Sequence, residues 1–89
     1  MISHITADFR KQYQRLPFHI QQQAQEAYRV WKIDPYHSSL FFKQVSQTYP
    51  LYSVRIGQNW RALALKDGDA MEWFWIGPHS YYDRLLKQF

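Results

Sequence analysis

Two arginines, at positions 55 and 61, flank the segment Ile56-Gly57-Gln58-Asn59-Trp60. Each lies in a run where apolar and polar residues alternate, so both runs read as strands and Gly57 to Asn59 as the turn between them. With a three-residue turn, Ile56 pairs with Trp60 and Arg55 falls directly opposite Arg61 on the same face. Like charges opposed at about 5 Å are destabilising, so this register suggests an anion held between the two guanidinium groups. A two-residue turn breaks the pairing, and two solvated arginines are the ordinary alternative. His79 follows Gly77 and Pro78 at the exit of the last apolar run. A histidine there either packs or caps, or transfers protons at neutral pH better than any other side chain type. Tyr81 and Tyr82 come next, and Tyr82 falls on an apolar stripe where it reads as core with its hydroxyl at the surface, or as a site residue. Lys43, between Phe42 and Gln44, is a further cation, or an edge-strand charge that deters aggregation.

The elements that would position these groups follow from periodicity. Thr6 is a plausible N-cap, and Ile5, Phe9, Tyr13 and Leu16 recur at helical steps before Pro17 disfavours helix at Leu16. A second helix begins at Pro17, with Ile20, Ala24, Ala27, Tyr28 and Trp31 as its apolar stripe and Gln21, Gln22, Gln25, Arg29 and Lys32 facing water. Asp34 and Pro35 end it. From Leu40 the period becomes 2: strands are expected over Leu40 to Val45, around Tyr52 to Ile56, over Trp60 to Leu65 and over Ala70 to Ile76. Asp67 and Gly68 mark a tight hairpin. Ser80 and Asp83 have capping-box spacing ahead of Leu85, Leu86 and Phe89, which predicts a short closing helix. The expectation is an α+β domain spanning residues 1–89, with a helical hairpin packed on a twisted antiparallel sheet of about four strands, a short C-terminal helix, and the helices all on one face.

Composition bounds what such a chain can do. The 89 residues are 46% apolar and 19% aromatic, enough for one small core and too hydrophobic for a disordered chain. Without cysteine there is no disulfide framework or thiolate site, and the histidines at 4, 19, 37 and 79 lack metal-ligand spacing, so neither metal nor cofactor is expected. No apolar run approaches the roughly 20 residues of a membrane helix, and Met1 to Arg10 lacks signal-peptide order, so a cytoplasmic protein without membrane contact is the default. A net charge of +4 favours an anionic partner, nucleic acid or acidic protein.

The order of motifs adds a resemblance. Leu40-Phe-Phe-Lys43, Tyr52-Ser-Val-Arg-Ile-Gly57, Trp60-Arg-Ala-Leu63, Trp73-Phe-Trp-Ile-Gly-Pro-His79 and Tyr82-Asp-Arg-Leu-Leu86 together resemble the RelE/ParE toxin superfamily of bacterial type II toxin-antitoxin systems, in the branch with a Trp-rich final strand. The resemblance covers almost the whole chain. It implies an antitoxin that wraps the toxin, hetero-oligomers that bind DNA through the antitoxin, and, for RelE-like members, cleavage of mRNA on the ribosome. On that pattern Arg61 matches the central arginine, Arg55 a basic position of the preceding strand, and His79 a place held by arginine or histidine. Tyr82 lies near the C-terminal tyrosine, with Tyr81 as the other choice. Ser53 stands where some active members carry a second lysine. The implied chemistry is metal-independent attack of an RNA 2′-hydroxyl on the adjacent phosphate, with Arg61 and Arg55 stabilising the transition state, His79 moving a proton, Tyr82 assisting, and Lys43, Arg55 and Arg61 binding RNA. ParE-like members instead act on DNA gyrase, and a non-catalytic module for nucleic acid or a protein partner is the further alternative.

Overall fold

A computed structural model describes residues 1–89 as three helices on a five-stranded mixed sheet. The chain runs β1 (Ile2–Ile5), α1 (Ala7–Gln14), α2 (Phe18–Ile33), a single 3₁₀ turn at Ser38–Leu40, β2 (Lys43–Gln44), β3 (Leu51–Ile56), β4 (Trp60–Asp67), β5 (Ala70–Pro78) and α3 (His79–Leu86). Spatial order across the sheet is β1-β5-β4-β3-β2, antiparallel except for β1, which pairs parallel to β5. The α+β class agrees with the sequence, but β1 is an additional strand: Ile2 to Ile5 pair with Ala70 to Trp73 where only a short lead is expected.

Helix α1 begins where Thr6 Oγ1 accepts the Phe9 amide at 3.0 Å, an N-cap that satisfies one of the helix's orphan donors. Its C-terminal carbonyls are met from α2. Gln21 does not simply face water: its Nε2 donates to the carbonyls of Tyr13 at 3.1 Å and Leu16 at 3.2 Å, which locks the joint at Pro17. Gln12 of α1 accepts the Ile76 amide at 2.9 Å, satisfying β5 beyond the end of β1. The larger core lies under these helices, where Trp31, 1% exposed, meets Trp73 and Phe42 edge to face at centroid distances of 5.3 and 5.9 Å.

The sheet is covered on both faces. Consecutive residues Ala62, Leu63 and Ala64 are all buried, Ala62 and Ala64 toward α1 and α2, Leu63 toward α3 with Leu51 and Tyr82. The helices therefore do not share one face; α3 has the other. A bulge in β5 at Phe74, where Leu63 pairs with Trp75 but Ala64 with Trp73, brings Phe74 and Trp75 together on the α3 side. The expected strand over Leu40 to Val45 contracts to Lys43–Gln44, because Leu40 ends the 3₁₀ turn and Phe41 is left-handed at φ 47°. Hairpin pairing joins Asp67 to Ala70, so the tight loop is Gly68-Asp69, one residue later than expected. Helix α3 starts at His79 rather than at a Ser80 cap, and no side chain caps its first turn.

Candidate functional site

The turn between β3 and β4 is three residues long, with Gly57 at φ +59°, a conformation that suits glycine. Ile56 pairs with Trp60 and Arg55 with Arg61, so both arginines point to the α3 face. The register extends that face in two directions. Lys43 of β2 pairs with Ser53 of β3, and Gly77 of β5 pairs with Arg61. A β-carbon at Gly77 would lie 2.5 Å from Trp75 Cζ2, so only glycine lets the indole lie along the strand here.

Helix α3 leaves β5 directly, which sets its first turn against the arginines. Tyr82 is 7% exposed; its hydroxyl donates to Ser53 Oγ at 3.1 Å, and Arg61 Cζ lies 5.9 Å from its ring centroid. The His79 ring stacks beside Tyr82 at 6.0 Å, and His79 Nε2 is 3.5 Å from Asp83 Oδ1, one helical turn on. The His79 amide donates to the Asn59 carbonyl at 2.7 Å, tying the helix start to the β3–β4 turn. These groups open onto one cleft of about 1050 Å³, lined mainly by polar residues.

Each arginine is held rather than free. Arg55 Nε donates to the Gly57 carbonyl at 2.8 Å and its guanidinium lies 5.1 Å from the Phe41 ring centroid. Arg61 Nη1 donates to the carbonyls of Trp60 at 2.8 Å and Gln58 at 3.3 Å. Partial burial, then the like charge of Arg55, holds the Arg61 pKa below that of an ordinary guanidinium; Tyr82 and Asp83 act in the opposite sense. The free site thus carries two unneutralised cations in a partly desolvated cleft, which is the electrostatic condition for binding a phosphate.

The residues given site roles from the sequence, Lys43, Arg55, Arg61, His79 and Tyr82, all line this cleft, and the alternative tyrosine, Tyr81, does not. Tyr82 differs from the expected core residue with a surface hydroxyl: its hydroxyl turns inward to Ser53 and its ring supports Arg61. Tyr81 is half exposed and stacks on Trp75 at 6.1 Å, outside the cleft lining. Phe41 and Asp83 also line it without having been given a site role from the sequence, as does Ser53, which the resemblance sets where some active members carry a second lysine. The four-residue spacing of His79 and Asp83 was the available signal, visible once the helix is known to begin at His79.

Comparison with known proteins bears on this geometry. Residues 18–84 match the family model of the ParE-like toxin domain. No curated protein matches the chain by sequence. Among solved structures, the antitoxin-toxin complex RelB-RelE from Methanococcus jannaschii is similar at a TM-score of 0.72 and 19% identity, over 91% of this chain and 96% of that one. The archaeal RelE-RelB complex from Pyrococcus horikoshii gives 0.69 and 17%, over 88% and 93%. YafQ from E. coli gives 0.71 at only 7% identity, over 90% and 94%. At such identities the likeness is one of fold.

Proposed function

Since this chain belongs to the ParE-like toxin family, we propose that it is the toxin of a toxin-antitoxin pair and that it stops translation by cutting mRNA on the ribosome. The observation that carries the reading is the convergence of Arg55, Arg61 and His79 on one open cleft, with the arginines opposed in register. In the reaction, the 2′-oxygen of a nucleotide attacks the adjacent phosphorus and the bond to the 5′-oxygen breaks. One product ends in a 2′,3′-cyclic phosphate and the other begins with a 5′-hydroxyl. Arg61, backed by the Tyr82 ring, faces the charge that builds on the phosphoryl oxygens; preorganised donors of this kind typically contribute about 10² to 10³ in rate. His79 gives or takes one of the two protons in flight. The Asp83 carboxylate, 3.5 Å from Nε2 and one helical turn on, is placed to orient the ring.

Two of the similar structures are antitoxin-toxin complexes, which supports an antitoxin partner for this chain, with DNA binding by the pair supplied through that partner. A second reading follows from the ParE-like description of the family model: inhibition of DNA gyrase, with the cleft as a contact surface. Induced expression separates the two. On the proposed reading, amino-acid incorporation collapses first and mRNA 5′ ends accumulate within reading frames, and co-expression of the antitoxin restores growth. Early failure of DNA synthesis with intact mRNA would instead support gyrase as the target.

A further inference from the structure

Phe41 is the only residue other than glycine with a left-handed backbone, at φ 47° and ψ 39°. That region is sterically unfavourable for a bulky L side chain. Its neighbours point the other way: Leu40 and Phe42 are 2% and 6% exposed and both enter the core beneath α2, where Phe42 meets Trp31 and stacks on Tyr52. The ring at 41 is left on the opposite face, the face of Arg55 and Arg61, and remains 57% exposed at the cleft. Burial does not account for an aromatic here. The ring is nonetheless fixed, because the Arg55 guanidinium lies over it and Arg55 is itself tied to the Gly57 carbonyl.

A strained backbone that holds an exposed aromatic ring inside a cleft is a feature found at ligand-binding positions. We infer that Phe41 and Arg55 form a nucleobase-stacking subsite, on which a base flanking the phosphate held at Arg61 is seated; the inference rests on the RNA-cleavage reading above. Aromatic rings and guanidinium planes both stack with the faces of unpaired bases, and neither requires a particular sequence. The layered pair therefore binds an unstacked, single-stranded nucleotide. Lys43, paired across the strands with Ser53 on the same face, adds charge for the adjoining backbone. Arg55 thus acts on both sides of the nucleotide linkage: its plane meets the base, and its charge lies opposite Arg61.

The test uses ribosomes programmed with an mRNA whose 2′-O-methyl groups prevent cleavage, and in which nucleotides around the cleavage site are replaced one at a time by abasic residues. Wild-type protein should lose about 5- to 100-fold in affinity at one abasic position, the range for a single stacked base. Phe41→Leu, which keeps apolar bulk, should bind intact mRNA about as weakly and be indifferent to that abasic position. Phe41→Trp should restore both affinity and the response. Phe41→Gly, which relieves the backbone, should melt no lower than wild type and still bind RNA as weakly as Phe41→Leu. The inference is overturned if Phe41→Leu binds intact mRNA within about twofold of wild type, or responds to every abasic position as wild type does. It is equally overturned if the Phe41 variants lose affinity for the antitoxin alone. Should wild type fail both to bind and to cleave on programmed ribosomes, the RNA-cleavage reading falls with it, an outcome distinct from the first two.

Discussion

Replacing Arg55 and Arg61 by glutamine, singly and together, isolates the repulsion that the sheet register builds into the free protein. Opposed β-carbons in such a pair are about 5 Å apart. The head groups then diverge, Arg55 toward Phe41 and Arg61 toward Tyr82, so a charge separation of roughly 8 Å is reasonable. At about 8 Å, two unit charges repel by about 0.5 kcal/mol at the dielectric constant of water and about 2 kcal/mol at the value suited to partly buried pairs. Both side chains reach solvent, which places the repulsion at about 0.5–1 kcal/mol. Each single variant also loses contacts of its own, Arg55 its bond to the Gly57 carbonyl and Arg61 its bonds to Trp60 and Gln58, so neither single change reads the repulsion directly.

The cycle removes those private terms. Each single variant regains the repulsive energy, while the double variant regains it only once. The double variant should therefore be less stable than the sum of the single changes by about 0.5–1 kcal/mol, or about 2–8 °C in melting temperature for a domain of this length. The assay is urea unfolding followed by tryptophan fluorescence at low ionic strength. At about 1 M salt, where the screening length falls to about 3 Å, the discrepancy should shrink toward zero. A saturating, uncleavable oligonucleotide should stabilise the wild type most and each variant less, yet leave the sign of the discrepancy unchanged, because the attraction of each arginine to the phosphate is a separate contribution that cancels in the cycle. Strict additivity at low salt, or a double variant more stable than the sum, would refute the reasoning.

Gly77→Ala should lower the melting temperature by several degrees and change the near-ultraviolet dichroism of Trp75, since the new methyl overlaps the indole; overpacking of this kind costs about 1–3 kcal/mol. Ser53→Ala and Tyr82→Phe each orphan one partner of the buried hydroxyl pair and should each cost about 1 kcal/mol, whereas the double variant should cost less than their sum, as chemical denaturation would show. Asp83→Asn should leave RNA affinity intact and reduce single-turnover cleavage, because it loosens the His79 ring without removing it.

The Arg55–Arg61 register is legible in the sequence because the turn contains Gly57 and is bounded by alternating residues on both sides, so its length decides which side chains oppose each other. Thr6, Pro17 and the stripe ending at Trp31 likewise locate both helices from local chemistry. Strand β1 is not legible in this way: Ile2 to Ile5 is short, largely exposed, and pairs in parallel with residues nearly seventy positions later, so no local pattern announces it. The placement of α3 on the opposite face from α1 and α2 had a signal, the burial-ready residues of both parities in Ala62-Leu63-Ala64, which mark a strand covered on two sides. The break at Phe41 is hidden from the pattern, since Leu40 and Phe42 enter the core on one side just as an unbroken strand would send them. The inward turn of the Tyr82 hydroxyl depends on Ser53, a residue on a different element, and cannot be read from either neighbourhood alone.

The central claim, that the cleft cuts RNA by in-line attack of the 2′-hydroxyl with Arg61 clamping the transition state, is tested most directly by single-turnover cleavage on programmed ribosomes with end-group analysis of the products. Wild type should yield 2′,3′-cyclic phosphate and 5′-hydroxyl ends. Arg61→Lys should keep ribosome affinity and lose about 10² to 10³ in the chemical step, nearly as much as Arg61→Ala, because a point charge cannot replace the planar fork. His79→Gln should lose turnover while retaining binding. Cleavage by Arg61→Lys at the wild-type rate, products bearing 5′-phosphate ends, or no cleavage by wild type that is bound to the ribosome would each contradict it.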